Sequence, residues 1–128
     1  MKIRLATPLL ALALLGVSAC GGSTSSSNNT VPADADVVVK AVEGISWNQK
    51  EFNVAAADGP VVIYAVNDSS IAHNLYVLDA DEQVIGDFID LPKRGSDGSR
   101  QLTLAPGEYR LVCKIPGHNN MNSKLTVT

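Results

Sequence analysis

The residues of this sequence with the clearest potential for chemistry lie near its C-terminus. Cys113, His118 and Met121 place a thiol, an imidazole and a thioether within nine residues. Soft sulfur ligands select copper(I), and imidazole binds copper in both of its oxidation states. A lone buried cysteine or methionine is more often a packing residue. It is therefore the combination of the three side chains at this spacing that predicts a copper site.

A redox-active copper site of this kind needs a second imidazole. The sequence has only two histidines, and the other one is His73. One thiolate, two imidazoles and a weak thioether form a ligand set that is ideal for neither oxidation state of copper. The ligands therefore move little when the ion gains or loses an electron. This ligand set predicts one-electron transfer. The sequence offers no catalytic triad and no second metal cluster, so we do not expect an enzyme.

Short β-strands must position these side chains, because no segment shows a sustained helical period. Apolar or β-branched runs that are bounded by turn residues predict seven strands. The predicted strands are residues 37–42, 50–55, 61–66, 73–78, 101–104, 107–113 and 124–128. Short strands at this spacing predict an all-β protein, built as an antiparallel β-sandwich.

The side-chain period of a strand indicates which way Cys113 points. Tyr109, Leu111 and Cys113 share one face of the strand that begins at Gly107, and Arg110 lies on the other face. Because an arginine favours water, the face of Cys113 is the core face. The thiol is therefore expected at the end of a core strand, where a loop begins.

Residues 86–99 are harder to interpret. The apolar side chains of Phe88, Ile89 and Leu91 need cover, whereas residues 92–98 have the composition of a loop. Either a strand or a helical turn could precede that loop, and the sequence does not decide between them.

The C-terminal segment resembles the ligand loop of a known family. Residues 109–118 read YRLVCKIPGH, and Met121 and a short apolar strand follow. This pattern is similar to the copper loop of the cupredoxins, most of all in their azurin and auracyanin branch. His73-Asn74 matches the family's upstream histidine–asparagine pair, and residues 105–109 resemble its turn into the cysteine strand. The resemblance spans about Val37 to the C-terminus and implies a Greek-key β-sandwich of about seven to eight strands.

The resemblance also implies one type 1 copper ion and its ligands. His73 and His118 would bind through ring nitrogens, Cys113 through its thiolate, and Met121 as a long axial ligand. Asn74 would brace the loop that carries Cys113, and the main-chain carbonyl of Ala72 could approach the metal from the opposite side. Only two residues separate His118 from Met121, whereas azurin-like loops usually have three or four. The strength of the axial bond therefore stays open.

For function, the resemblance implies an electron carrier that shuttles between redox proteins such as cytochromes, oxidases or other copper proteins. Electrons would pass through the exposed edge of His118, beside Pro116 and Gly117, and no small-molecule substrate is expected. Two alternatives remain at this stage. The same ligands would serve a copper chaperone or buffer, and a sandwich that has lost its metal would have a purely structural role.

The N-terminus resembles a bacterial lipoprotein signal. Residues 1–19 carry Lys2 and Arg4, an apolar stretch too short to span a bilayer, and small residues before Cys20. We predict a lipidated Cys20, a flexible Gly/Ser/Thr/Asn linker over residues 20–33, and one domain over residues 34–128. This arrangement implies a lipid anchor in the cell membrane or outer membrane, facing the periplasm or the exterior. An ordinary secretory signal is the alternative.

The net charge and the number of cysteines exclude some kinds of partner and indicate a role for Cys113. Without Lys2 and Arg4, 8 basic and 13 acidic side chains remain, a net charge of −5. A mildly acidic domain without a basic cluster argues against nucleic acid as a partner. If Cys20 is lipidated, Cys113 is the one free thiol of an exported domain, where cysteines are normally paired. That free thiol requires a specific role, and metal binding is the predicted one.

Overall fold

The computed structural model describes residues 28–55 and 59–128, which form β-strands and no helix. The predicted signal peptide, Cys20 and the first part of the linker lie outside the described residues. The strands are β1 (Val37–Val42), β2 (Ser46–Trp47), β3 (Glu51–Val54), β4 (Val61–Asn67), β5 (His73–Leu78), β6 (Ile89–Leu91), β7 (Asp97–Leu102), β8 (Gly107–Val112) and β9 (Asn122–Val127). No helix in these two ranges has the length and hydropathy that spanning a bilayer would require.

The nine strands form two sheets, which confirms the predicted all-β sandwich. The first sheet has the order β2-β1-β4-β7, and the second has the order β3-β9-β8-β5-β6. Two neighbouring pairs, β1 with β4 and β3 with β9, are parallel, so the sheets are mixed and not antiparallel throughout. Apolar alternation indicates a strand and its buried face, but it carries no information about the direction of the neighbouring strand.

Residues 86–99 contain one strand and the start of another. Ile89–Leu91 forms β6, and β7 begins at Asp97, within the segment predicted to be a loop. Gly98 pairs with Ala65 of β4, and a Cβ atom at position 98 would lie 2.9 Å from a methyl group of Ile89. Pairing with β4 and close packing against β6 therefore explain a strand in a segment of low β-propensity.

The core lies between the two sheets and includes two of the four predicted ligands. Apolar side chains of the first sheet, such as Val39 and Ile63, pack in one cluster with Leu75 and Leu111 of the second. Cys113 and Met121 belong to the same cluster. Because a close-packed interior transmits strain and resists movement, a metal bound at these residues would be held by the rigid part of the domain.

Contacts with the domain begin before the predicted boundary at Asp34. The side-chain amide of Asn29 donates a hydrogen bond to the carbonyl oxygen of Gly95, at 3.0 Å. The backbone N–H of Ala35 donates to the carbonyl oxygen of Pro32, at 3.1 Å, in a turn that leads into β1. Composition alone does not reveal this contact, because asparagine is common both in linkers and in turns.

Tyr64 of β4 provides a test of the fold at alkaline pH. Burial raises its pKa to about 12, and the hydrogen bond that its hydroxyl donates to Asp97, at 2.8 Å, acts in the same direction. Above pH ~10, the usual pKa of tyrosine, the unfolded chain releases this proton while the folded protein retains it. Stability should therefore fall as the pH rises from about 10 towards 12.

Tyr64→Phe removes this contribution. Urea unfolding at several pH values in that window should give a shallower loss of stability for Tyr64→Phe than for the wild type. The other tyrosines and the lysines are common to both proteins, so their titration cancels in the comparison. Identical slopes for the two proteins would contradict the assignment.

Candidate metal centre

Two neighbouring strands of the second sheet bring His73 and Cys113 to the same end of the sandwich. His73 is the first residue of β5, and Cys113 directly follows the last residue of β8. The two strands are antiparallel, with Tyr76 opposite Val112, so the start of β5 lies beside the end of β8. Leu111 and Cys113 are buried and Arg110 is exposed, as the period-two pattern predicted.

The structure brings three of the four predicted ligands into one cluster. Possible ligand atoms of His73, Cys113 and His118 all lie within 4.8 Å of one another. The Sγ of Cys113 is 3.5 Å from the Nδ1 of His118, and the centroids of the two imidazole rings are 4.9 Å apart. Residues 73, 113 and 118 are 0%, 7% and 8% exposed, respectively. A thiol and two imidazoles that converge in a buried position could hold a metal ion.

The hydrogen bonds of His73 leave one of its two ring nitrogens without a partner. Its Nε2 lies 2.7 Å from the Oγ of Ser69, whereas its Nδ1 is buried and has no hydrogen-bond partner. Buried polar atoms are rarely left without a partner, so this orphaned nitrogen fits a metal ligand. Burial lowers the pKa of His73, the charge of His118 lowers it further, and Glu43 acts in the opposite direction. The neutral imidazole that a metal requires is therefore favoured.

The loop between Cys113 and Met121 is closed by its own backbone hydrogen bonds. The N–H of His118 donates to the carbonyl of Ile115, at 3.0 Å, and the N–H of Met121 donates to the carbonyl of His118, at 2.9 Å. Gly117 has a φ of +89°. With Pro116 before it, this geometry is that of a type II turn, in which the third residue must tolerate positive φ. The turn fixes the backbone position of His118, from which its imidazole projects.

The main chain of Met121 is hydrogen-bonded to the main chain of Cys113. The N–H of Cys113 donates to the carbonyl of Met121, at 3.0 Å, and Met121 is 1% exposed as a member of the core cluster. Met121 is therefore a buried residue whose main chain is bonded to that of Cys113. The axial role of Met121 remains a proposal, because burial next to Cys113 also suits a packing residue.

The two residues that were expected to support the ligands have different surroundings. The Oδ1 of Asn74 accepts a hydrogen bond from the N–H of Lys114, at 2.8 Å, which ties β5 to the residue after Cys113. Ala72 is an exposed residue directly before β5. Through this hydrogen bond Asn74 holds the backbone of the residue that follows Cys113. Ala72 is placed beside the cluster only by its chain position next to His73.

Three residues near the cluster were not predicted as part of the site. Ser69 and Asn67 are buried behind His73, and Trp47 is buried with its Nε1 donating to the carbonyl of Leu111, at 3.1 Å. Residues 67–70 directly follow the predicted strand 61–66 and have the composition of a turn. Their one local signal is an asparagine two residues before a serine, a pattern that favours an Asx turn. For Trp47 the sequence contains no signal of proximity to the site.

The position of Trp47 gives a direct optical test of metal binding. Trp47 is the only tryptophan of the chain, and its ring centroid is 6.3 Å from that of His73. Electron transfer from an excited indole to copper(II) depends steeply on distance, so copper(II) should quench the tryptophan fluorescence several-fold. Zinc(II) has no redox chemistry and serves as the control, which should leave most of the emission. Undiminished emission with bound copper(II) would contradict the placement of Trp47.

The sequence and the fold were compared with those of known proteins, and only the fold has matches. No protein-family model matches the sequence, and no curated protein matches it. The fold is similar to that of dithionite-reduced auracyanin from Roseiflexus castenholzii, with a TM-score of 0.62 and 19% identity over 72% of this chain and 95% of that one. It is also similar to an azurin from Methylomonas sp. strain J, with a TM-score of 0.63 and 16% identity over 75% and 99% of the two chains. For auracyanin B the TM-score is 0.60, with 23% identity over 81% and 95%.

Proposed function

We propose that this chain, which has the cupredoxin fold, is a type 1 copper protein that carries single electrons between redox proteins. The observation that carries the proposal is the buried, unpartnered Nδ1 of His73 in a cluster with Cys113 and His118. Such an atom costs free energy in the folded protein unless a ligand satisfies it. Two imidazoles and one thiolate form the trigonal donor set that is typical of blue copper sites.

Four residues would hold the ion: His73, Cys113, His118 and, as the axial ligand, Met121. Copper would supply a one-electron redox couple at this position. The protein's own contribution is rigidity, because Cys113 and Met121 lie in the core and the loop between them is closed by hydrogen bonds. Ligands that cannot move, in a site from which water is excluded, keep the reorganisation that accompanies electron transfer small.

His118 would be the point where electrons enter and leave. It is the most exposed of the three clustered residues, and the preceding Pro116 and Gly117 are exposed. A partner that docks there reaches the imidazole edge without opening the core. We propose cytochromes, oxidases or other copper proteins as partners, and we propose no small-molecule substrate and no enzymatic activity.

The location of the protein is a separate part of the proposal. The resemblance of residues 1–19 to a lipoprotein signal supports a lipid anchor on Cys20 that holds the domain outside the cytoplasm. Mass spectrometry of the mature N-terminal peptide tests this part. An N-terminal peptide with an unmodified cysteine would contradict the anchor without affecting the copper site.

The experiment for the copper site is a titration of the purified protein with copper(II). The expected result is an intense blue or green colour at one equivalent, which ascorbate bleaches and an oxidant restores. A colourless protein that binds only copper(I) would indicate copper handling instead. If no copper of either oxidation state binds, the proposal is wrong and the sandwich is structural.

Replacing Met121 tests the axial ligand separately. Met121→Leu keeps the volume of the side chain, a change that packed cores tolerate well, but it removes the thioether. The colour should persist, because it depends on the thiolate. Loss of a donor destabilises the more highly charged copper(II) form, so the reduction potential should rise, by on the order of 60 mV for a tenfold change in relative affinity. A variant with an unchanged spectrum and potential would show that Met121 is not a ligand.

A further inference from the structure

A buried chain of polar side chains lies behind His73, on the side away from the ligand cluster. The Oγ of Ser69 is 2.7 Å from the Nε2 of His73, and Ser69 itself donates to the Oδ1 of Asn67, at 2.9 Å. Ser69 and Asn67 are 1% and 0% exposed. Polar groups are costly to bury unless they are hydrogen-bonded. The bonds that join Asn67, Ser69 and His73 therefore stabilise the folded protein.

The surroundings of the Ser69 hydroxyl determine the direction of these bonds. Two oxygens that can only accept lie beside it: the Oδ1 of Asn67, at 2.9 Å, and the carbonyl of Ile71, at 3.2 Å. A hydroxyl has one proton to donate, and each of these oxygens lies within reach of it. When the hydroxyl donates to either oxygen, the Oγ accepts from His73, so the Nε2 carries the ring proton and the lone pair lies on Nδ1. The nitrogen that the geometry leaves without a partner is thus the one prepared to bind a metal.

Asn67 anchors the chain to the surrounding backbone. Its amide nitrogen donates to the carbonyls of Ile71, at 2.7 Å, and Leu91, at 3.0 Å. Its Oδ1 also accepts from the backbone N–H of Ser69, at 2.8 Å. Asn67 is the last residue of β4, and Leu91 is the last residue of β6. The hydroxyl of Ser69 is therefore fixed relative to two strands and cannot turn away from the imidazole.

We propose that Ser69, held by Asn67, is a positioning residue that sets the orientation and donor strength of His73, and through it the copper affinity and the reduction potential. The inference rests on the proposed copper site. Copper(II) withdraws more electron density from an imidazole than copper(I), which makes the Nε2 proton a stronger donor. The bond to Ser69 therefore stabilises the oxidised form more than the reduced form, and the ordered chain behind it strengthens the effect.

The test compares the wild type with Ser69→Ala, Ser69→Thr and Ser70→Ala. Ser69→Ala removes the acceptor, and copper(II) affinity should fall about 10- to 100-fold, as is typical for outer partners of metal ligands. Copper(I) affinity should fall less, and each tenfold difference raises the one-electron potential by 59 mV. Ser69→Thr retains the hydroxyl and should restore most of the affinity and potential. Ser70 is the matched control, because its hydroxyl bonds to the exposed Glu43 at 3.1 Å, and its loss should change neither.

A second measurement separates positioning from a purely structural role. In the copper(I)-loaded protein, nuclear magnetic resonance should show a slowly exchanging Nε2 proton of His73 in the wild type and in Ser69→Thr, and rapid exchange in Ser69→Ala. If Ser69→Ala lowers the unfolding temperature but leaves the potential and this proton unchanged, Ser69 is structural and the inference is wrong. If the wild type itself binds no copper, the proposed function fails instead, and the two failures are distinguishable.

Discussion

Replacing Cys113 with alanine is expected to abolish the intense visible colour of the copper(II) protein. The colour of such a site arises from charge transfer between thiolate sulfur and copper(II), and Cys113 is the free cysteine of the described residues. Its Sγ lies 3.5 Å from the Nδ1 of His118, so the thiolate is part of the proposed ligand cluster. The affinity for copper(II) should fall more than about 100-fold, because loss of a ligand exceeds the effect of losing an outer partner.

The matched variant is Cys113→Ser, which keeps the size of the side chain and offers an oxygen in place of sulfur. We expect it to fold and to bind copper(II) weakly, without the intense band. Absorption and electron paramagnetic resonance spectra, together with a competition titration, measure both effects. Because Cys113 is part of the core cluster, the unfolding of each metal-free variant must be recorded as well. A variant without sulfur at position 113 that keeps the full colour would refute the assignment of the site.

Copper should also stabilise the fold strongly. A ligand that binds only the folded state adds about 4.1 kcal/mol when its free concentration is 1,000 times its Kd. For a domain of about 100 residues, each kcal/mol shifts the midpoint of thermal unfolding by about 4–8 °C. Copper(II) at that excess should therefore raise the midpoint by roughly 15–30 °C. The ligand set exists only in the folded state, and it includes the Nδ1 of His73, which is buried without a hydrogen-bond partner.

Differential scanning calorimetry of the metal-free and copper-loaded protein measures this shift. Cys113→Ser provides the control, since the same amount of copper should shift its midpoint far less. Equal midpoints for the metal-free and copper-loaded wild type would mean that copper binds the unfolded chain as well as the folded one. That outcome is incompatible with a preformed site.

The part of the site that could be predicted from sequence is the part encoded by local spacing. Cys113, His118 and Met121 lie on one short loop, and the Pro116-Gly117 turn that shapes it is visible in the sequence. The strand that carries Cys113 was also predictable, because alternation between Arg110 and its buried neighbours shows which face is inside. Only His73 had to be added from outside the loop, and the scarcity of histidine made that choice simple.

The residues behind the ligands could not be predicted, because their roles depend on tertiary contacts. Ser69 and Asn67 have the composition of a solvent-exposed turn, yet both are buried. The contact of Trp47 with the carbonyl of Leu111 links segments that are 64 residues apart in the chain. Gly98 looks like a loop residue until the strand beside it is known. Local composition limits the conformations that a segment can adopt. Contacts with neighbouring strands determine which of these conformations it has in the folded protein.

Asn74 and Lys50 hold the ligand loop to the rest of the domain, but its own backbone closes it, which determines how its length can change. Its closing hydrogen bonds, from Cys113 to Met121, from His118 to Ile115 and from Met121 to His118, all join residues of the loop itself. Insertions between His118 and Met121 would lengthen the loop without disturbing the pairing of β8 with β9. The loop can therefore change in length, and with it the surroundings of a bound metal, while the strand that supplies His73 stays the same.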